Sequence, residues 1–432
     1  MIRLSNRFFV FFSSLLLGTF TLGAHAQSDS VKVIKVDSIN PGAVSSTGVL
    51  SNGTLYVAGQ GGLNADRSVP KDFQQEVAQS MQNVQKVLQA ADLDYGNAVW
   101  MNIFVTSGAS LAAMNNVYWK TIGADPPARS VVVVGGLPGG ENIEINCIAV
   151  SKASSRRAIW PQGWPHGKRI DPPGIQAGEM LYMSAQEGAD PATGKPAGDY
   201  AGEVKQSLDN VAAILKTANM SMANVVWTNP YMASTEANMG SQTAAGPIGH
   251  NGQAQTSEAA VMNKIYATYF EFGNTPARGT MPVVDLPDKA HIVFSAIAGA
   301  DLSKRKSIRP INMELSATAS PGILYGDTYY MSGKSGFIPD QGIVTPDVDL
   351  QLRQSMRNLL DDLEQTDLGF ADVVSATIYL REMKDMDTVQ NRSGTFFKGG
   401  RFPARTTMQN SFDMKTATAE QISFIAVRQP KH

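Results

Sequence analysis

Four short motifs recur three times in the same order along this chain. Such self-similarity constrains the fold more than any other feature, because it calls for copies of one unit rather than one large core. The strongest motif is Gln-Ser-x-x-Asn: Gln79-Ser80-Met81-Gln82-Asn83, Gln206-Ser207-Leu208-Asp209-Asn210 and Gln354-Ser355-Met356-Arg357-Asn358. In the first copy Val77, Met81, Val84, Val87 and Leu88 continue at helical spacing, which predicts an amphipathic helix with one core-facing stripe. After each such helix comes a run rich in β-branched and aromatic residues, at 98–106, 223–232 and 371–380, which reads as a strand. A second helix is marked by Met114-Asn115-Asn116-Val117-Tyr118, by Met262-Asn263-Lys264-Ile265-Tyr266 and more loosely by Asp387-Thr388-Val389-Gln390-Asn391. Then follow a Pro-Ala-Arg step ending in Arg129, Arg278 or Arg405, and a closing apolar strand over 143–150, 292–298 or 422–427.

Strand runs grouped around two helices, rather than strictly alternating with them, predict an α+β layer with both helices on one sheet face. The units are expected over residues 33–152, 158–300 and 310–429, joined by polar linkers near 152–158 and 301–310. The Gln-to-Arg spacings are 50, 72 and 51 residues, so the second copy is longer. Its extra residues fall in the Gly-, Ala- and Gln-rich stretch 237–257, which reads as a surface loop.

The first residues have another character. Arg3 and Arg7 precede an apolar run from Phe8 to Leu22, and Ala24-His25-Ala26 supplies the small residues that a signal peptidase reads. The run is shorter than the roughly 20 residues of a spanning helix, so residues 1–26 are expected to be a signal peptide. The mature protein is then periplasmic or secreted, with no membrane segment after cleavage. Losing Arg3 and Arg7 moves the net charge from −2 to −4, which offers no electrostatic reason to bind a phosphate backbone, so no nucleic-acid partner is expected. The single cysteine, Cys147, sits in an apolar strand and reads as a buried structural thiol.

The motif set resembles the Rid family (YjgF type, also called endoribonuclease L-PSP). The matching residues are Val57-Ala58-Gly59-Gln60 at the hairpin, the Gln-to-Asn helix, Arg129-Ser130, and Ile143-Glu144-Ile145-Asn146-Cys147-Ile148-Ala149-Val150. Met183-Ser184-Ala185-Gln186 and Met331-Ser332-Gly333-Lys334 are the hairpin counterparts in the other copies. The resemblance implies chorismate-mutase-like domains that normally form homotrimers with a cleft between each pair of neighbours. Three copies in one chain imply an intramolecular, monomeric pseudo-trimer in which linkage replaces association by a high effective concentration. It also implies a small imino or enamino carboxylate as substrate or ligand. The Pro-Ala-Arg arginine grips the carboxylate, water attacks the C=N carbon, ammonia leaves, and a glutamate on the closing strand acts on the water. Planar, permanently charged guanidinium suits that grip.

Arg129 and Glu144 are therefore the expected catalytic residues, with Arg278 and Arg405 as further substrate-binding arginines. The competing reading of each arginine is an ion pair to an acidic neighbour at a domain interface. At the glutamate position the second copy has Val293 and the third Gln421, and neither takes a proton near neutral pH. Glu420 is one place off, which puts it on the other strand face. The tyrosine that the family has before the first hairpin strand is absent, with Ser45, Ser46 and Thr47 there in the first copy. Trp160-Pro161-Gln162-Gly163-Trp164-Pro165-His166 reads either as an aromatic cleft wall or as a linker packed on the surface. The histidines have no metal-ligand spacing and no phosphate- or dinucleotide-binding loop is present, so no metal and no organic cofactor are expected. Two functional readings remain: a deaminase, and a carboxylate-binding or chaperone-like protein without turnover. Ribonuclease activity, a third, is disfavoured by charge and export.

Overall fold

A computed structural model of the chain describes residues 31–39, 44–64, 66–233, 258–311, 313–338, 341–397, 401–410 and 418–429. The expected signal peptide and the 237–257 insertion lie outside them. The first unit runs β1 (Lys32–Ile34), β2 (Gly48–Ser51), β3 (Thr54–Gly61), α1 (Phe73–Ala90), β4 (Ala98–Val105), α2 (Leu111–Thr121), β5 (Ala128–Val133) and β6 (Ile143–Val150). The second runs β7 (Arg156–Ile159), β8 (Gly174–Ala177), β9 (Met180–Glu187), α3 (Tyr200–Thr217), β10 (Val225–Ala233), α4 (Glu258–Tyr266), β11 (Ala277–Arg278), β12 (Met281–Val283) and β13 (Ile292–Gly299). The third runs β14 (Arg305–Ile308), β15 (Gly322–Tyr325), β16 (Thr328–Met331), α5 (Val348–Glu364), β17 (Val373–Leu380), α6 (Met386–Gly394), β18 (Ala404–Gln409) and β19 (Glu420–Val427).

Each unit builds the same sheet. The first has the order β1-β2-β3-β6-β4-β5 and the third β14-β15-β16-β19-β17-β18; in the second, β11 and β12 both lie along β10. The β4–β5 pair and its counterparts are parallel, and the other pairs are antiparallel. The long helices start where Asp72, Asp199 and Asp347 accept a hydrogen bond from the backbone N–H three residues on, satisfying one of the orphan donors of a first turn.

Strand periodicity of two then sorts the side chains. Leu55, Val57, Met101, Ile103, Ile145 and Cys147 face α1 and α2, whereas Tyr56, Ala58, Trp100 and Ile148 face the other way. There they meet Tyr182 and Ile297 of the second unit and Tyr325, Tyr330 and Val427 of the third, in one apolar cluster common to all three. Both faces of the sheet are thus buried, which explains why β4 is buried along its whole length and apolar except at Asn102.

The stretches expected as linkers do more than connect. Residues 156–159 and 305–308 form β7 and β14, which open the second and third sheets by pairing with β8 and β15. Their polar composition suits an edge strand, which pairs through its backbone on one side and faces solvent on the other. Arg156 donates back into the first unit, to the carbonyls of Ala98, Asp125 and Pro126. Arg305 repeats the device on Val225 and Asn274. Trp164 packs on the core of the second unit and the His166 ring lies 4.3 Å from that of Trp160, so this segment is a strap on the surface rather than a cleft wall. No described helix is long and apolar enough to cross a membrane.

Candidate functional site

Three clefts lie where β5, β11 and β18 pack against the hairpin strand of the next unit: β5 on β9, β11 on β16, and β18 on β3. The arginine of each Pro-Ala-Arg step stands at the head of the first strand named. In two clefts the anchoring is the same. The backbone N–H of Arg129 donates to Ser184 Oγ at 2.9 Å, and that of Arg278 to Ser332 Oγ at 2.8 Å. These serines in turn donate to the carbonyls of Pro172 and Ser320. In the third cleft Ala58 replaces the serine, and what remains is the N–H of Ser46 donating to the Pro403 carbonyl of the third unit, as Ser320 does to Pro276 in the 2–3 cleft.

Closing the molecule in this way shifts the pairing expected from sequence. Arg129 and Glu144 do not share a cleft. Glu144 on β6 reaches the cleft between the third and first units, where the N–H of Thr407 donates to its Oε1 at 3.4 Å and the neighbouring positive charge is Arg405. Its counterparts are fixed by register: Phe104 opposes Glu144, Tyr231 opposes Val293, and Tyr379 opposes Gln421. By this register each arginine shares its cleft with the strand position of the following unit: Arg129 with Val293, Arg278 with Gln421, and Arg405 with Glu144. Glu420, as its position in the strand requires, turns to the helix side, where Ser355 donates to it.

The 1–2 cleft is closed from within. Asp171, just ahead of the second hairpin, takes Arg129 Nη2 at 2.7 Å and Nε at 2.9 Å. Asn115 accepts from Nη1 at 2.8 Å, and the guanidinium lies over the rings of Tyr118 and Trp119 at 4.2 and 5.1 Å. Burial raises the carboxyl of Asp171 while Arg129 pulls it back. Here the interfacial ion pair, the competing reading of the arginine, is the one found. The sequence signal for Asp171 was the segment before the hairpin, which holds Ser45 in the first copy and Asp171 in the second.

The 3–1 cleft is different on every count. Burial pushes Glu144 up to about 8, and the nearby Glu141 adds to the rise; the Thr407 N–H and Arg405 oppose it. Glu144 folds over Gly59, where any Cβ would collide with its carboxyl group. Arg405 is lowered to about 10 by burial, with Glu144 pulling it up. Where Tyr118 and Tyr266 sit over their arginines, the third unit has Ser393, and a cavity opens beside Arg405. Its lining includes Val44, Met356, Ile378, Ser393, Phe397 and Phe424. The missing tyrosine ring was legible only as the looser match of the second-helix motif in the third copy.

In the 2–3 cleft the Arg278 Nη1 donates to Asn263 at 2.8 Å and the guanidinium lies 5.1 Å over Tyr266. Burial lowers its affinity for the proton. Gln421 covers Gly333, whose N–H donates to the Arg278 carbonyl. Among the described residues no group of three His, Cys, Asp or Glu is arranged to hold a metal ion. Cys147 is buried and its thiol is pushed up to about 12 by burial, so it takes no part.

Comparison with known proteins agrees with this architecture. The family model for Endoribonuclease L-PSP matches residues 37–151, 172–246 and 313–427. A 2-iminobutanoate/2-iminopropanoate deaminase from Capra hircus is 33% identical over 107 residues, 24% of this chain and 78% of its own length. The mitochondrial protein mmf2 of Schizosaccharomyces pombe is 35% identical over 104 residues, 23% of this chain and 82% of its own. Among solved structures, yeast Mmf1 is 28% of this chain in extent and wholly covered, with 30% identity and a TM-score of 0.28. The chain belongs to the endoribonuclease L-PSP (Rid) family and carries three copies of its domain.

Proposed function

We propose that the chain is a deaminase that hydrolyses a small 2-imino carboxylate, or its enamine tautomer, in the 3–1 cleft. The observation that carries this is the electrostatic coupling of Glu144 to Arg405 across the interface, with Arg405 lining a small, mostly apolar cavity. With its carboxyl raised to about 8, Glu144 is mostly neutral at pH 7. Arg405 is then an uncompensated cation, ready to hold a carboxylate through two parallel hydrogen bonds.

The protonated Glu144 reverses the order of events expected from sequence. It first donates its proton to the imine nitrogen, which makes C2 more electrophilic. Water attacks C2, and the carboxylate so formed takes a proton from that water. The proton returns to nitrogen, the C–N bond breaks and ammonia leaves, while the hydroxyl on C2 gives its proton to Glu144 and becomes the carbonyl. The sum is imino acid plus water giving 2-oxo acid plus ammonia, with Glu144 restored. The named activity of the Capra hircus relative supports the reaction class. Export through residues 1–26, existence as a single-chain particle and lack of a nucleic-acid partner are part of the same proposal, supported by Arg3, Arg7, the Ala24-His25-Ala26 end and the negative net charge.

The test is ammonia release from freshly generated 2-iminopropanoate and 2-iminobutanoate. Arg405→Ala should lower kcat/KM by about 100-fold or more, the scale of removing a positioned ionic contact. Arg129→Ala should stay within about threefold, since Arg129 is engaged by Asp171. Activity that survives in Arg405→Ala but is lost in Arg129→Ala would overturn the assignment of the cleft, and no release by the wild type would sink the deaminase reading.

A further inference from the structure

We propose that the 2–3 cleft is a second small-carboxylate site that holds its ligand without hydrolysing it, while the 1–2 cleft is shut by the chain's own carboxylate. The inference rests on the carboxylate-gripping role given above to the arginine of the 3–1 cleft.

One position, just ahead of each hairpin, holds a different residue in each cleft. The N–H of Ser184 donates to Pro173 and that of Ser332 to Pro321, while Ala58 donates to Thr47. These bonds align the three hairpins residue for residue, so Asp171, Ala319 and Ser45 occupy the same place. In the 1–2 cleft Asp171 sits 2.7 Å from the guanidinium, where a ligand's carboxylate would lie. Ala319 has no such group to offer Arg278.

Arg278 is half-buried against Tyr266, and its Nη1 is spent on Asn263 and the Met262 sulfur. Among the charged groups of the described residues, none with a negative charge balances it; its electrostatic neighbour is the Tyr266 hydroxyl. The facing strand offers nothing ionic either. Lys334 is turned away to Asp362 at 2.8 Å, and the neighbouring side chain over Gly333 is the Gln421 amide. A cation taken out of water without a counter-ion is costly, and an anion that enters with it relieves that cost. The fork of Nε and Nη2 is complementary to a carboxylate. Gln421 can hydrogen-bond to such a ligand but cannot shuttle a proton as Glu144 does, so an imino acid bound there keeps its C–N bond. The same site takes the 2-oxo acid released next door.

Titration of the full chain with pyruvate, a stable 2-oxo monocarboxylate, reads the number of sites. Two per chain are expected. Arg278→Ala should leave one site, and Arg405→Ala should leave one site and lose ammonia release. Ala319→Asp, which seats a carboxylate where Asp171 sits in the other cleft, should also leave one, and it serves where Arg278→Ala fails to fold. Asp171→Ala should raise the number to three. One site in the wild type, no loss in Arg278→Ala and Ala319→Asp, no gain in Asp171→Ala, or ammonia release that persists in Arg405→Ala would each overturn the proposal. Two sites without any ammonia release would refute the deaminase reading and leave this one standing.

Discussion

Glu144 shows how burial rather than spacing sets the behaviour of a residue. Its carboxyl ordinarily titrates near 4.5 and here near 8, so between those values the native protein keeps a proton that the unfolded chain has lost. By linkage, stability from this group is fully present below about pH 4.5 and is lost as pH rises through about 8. Glu144→Gln keeps a neutral group at every pH. It should therefore match wild type in denaturant unfolding near pH 4.5 and exceed it by about 2–4 kcal/mol at pH 9. A wild-type stability that does not fall relative to the variant over this range would contradict the buried, protonated state. The same shift predicts that turnover declines as pH rises through about 8, because the step begins from the acid form. Asp171 makes the converse point. It is one residue in a Pro-rich approach to a hairpin, and only its position across from Arg129 reveals the ion pair it makes.

At the scale of the element, the Gln-Ser-x-x-Asn motif turns out to be a device for joining helix to sheet. Asn83 Nδ2 donates to the Gly61 carbonyl at 2.9 Å, Asn210 to Glu187 and Ala189, and Asn358 to Ser335 and Phe337. One turn earlier, Gln79, Gln206 and Gln354 donate to the side-chain oxygen of these asparagines and fix their orientation. The carbonyls lie where the hairpin strand ends and the sheet no longer satisfies them, so the asparagine does so instead. Asn83→Ala should cost about 1–3 kcal/mol in chemical denaturation, the penalty for leaving such acceptors unpaired, and a change below a few tenths would contradict this role. The helix stripe was legible as a 3.6-residue period, but the asparagine's task was not, because its partners lie on a strand some twenty residues away.

For the whole molecule, the three sheets are not three separate cores. Tyr56, Tyr182 and Tyr330 stand at equivalent places in their hairpins and share one cluster. No unit can bury this face alone, so the units should melt together. Calorimetry should show one transition, and Tyr330→Ala should move all of it, at a cost of about 3–5 kcal/mol for a large truncation in a core. A variant in which the third unit melts early while the others keep the wild-type midpoint would show the shared cluster to be dispensable.

Sequence alone determined what repeats could reveal: the count of units, their α+β order, the family and the three arginines. All of that is written in local periodicity and in motifs that recur at similar spacing. Which strand residue each arginine meets was decided only by the tertiary structure. The clefts form between neighbouring units, so Arg405 and Glu144, far apart along the chain, are brought together, while Arg129 and Glu144, fifteen residues apart, are carried to different clefts. Spacing along a chain records neighbours within a unit; a site made by closing three units on a common core depends on the order in which they pack.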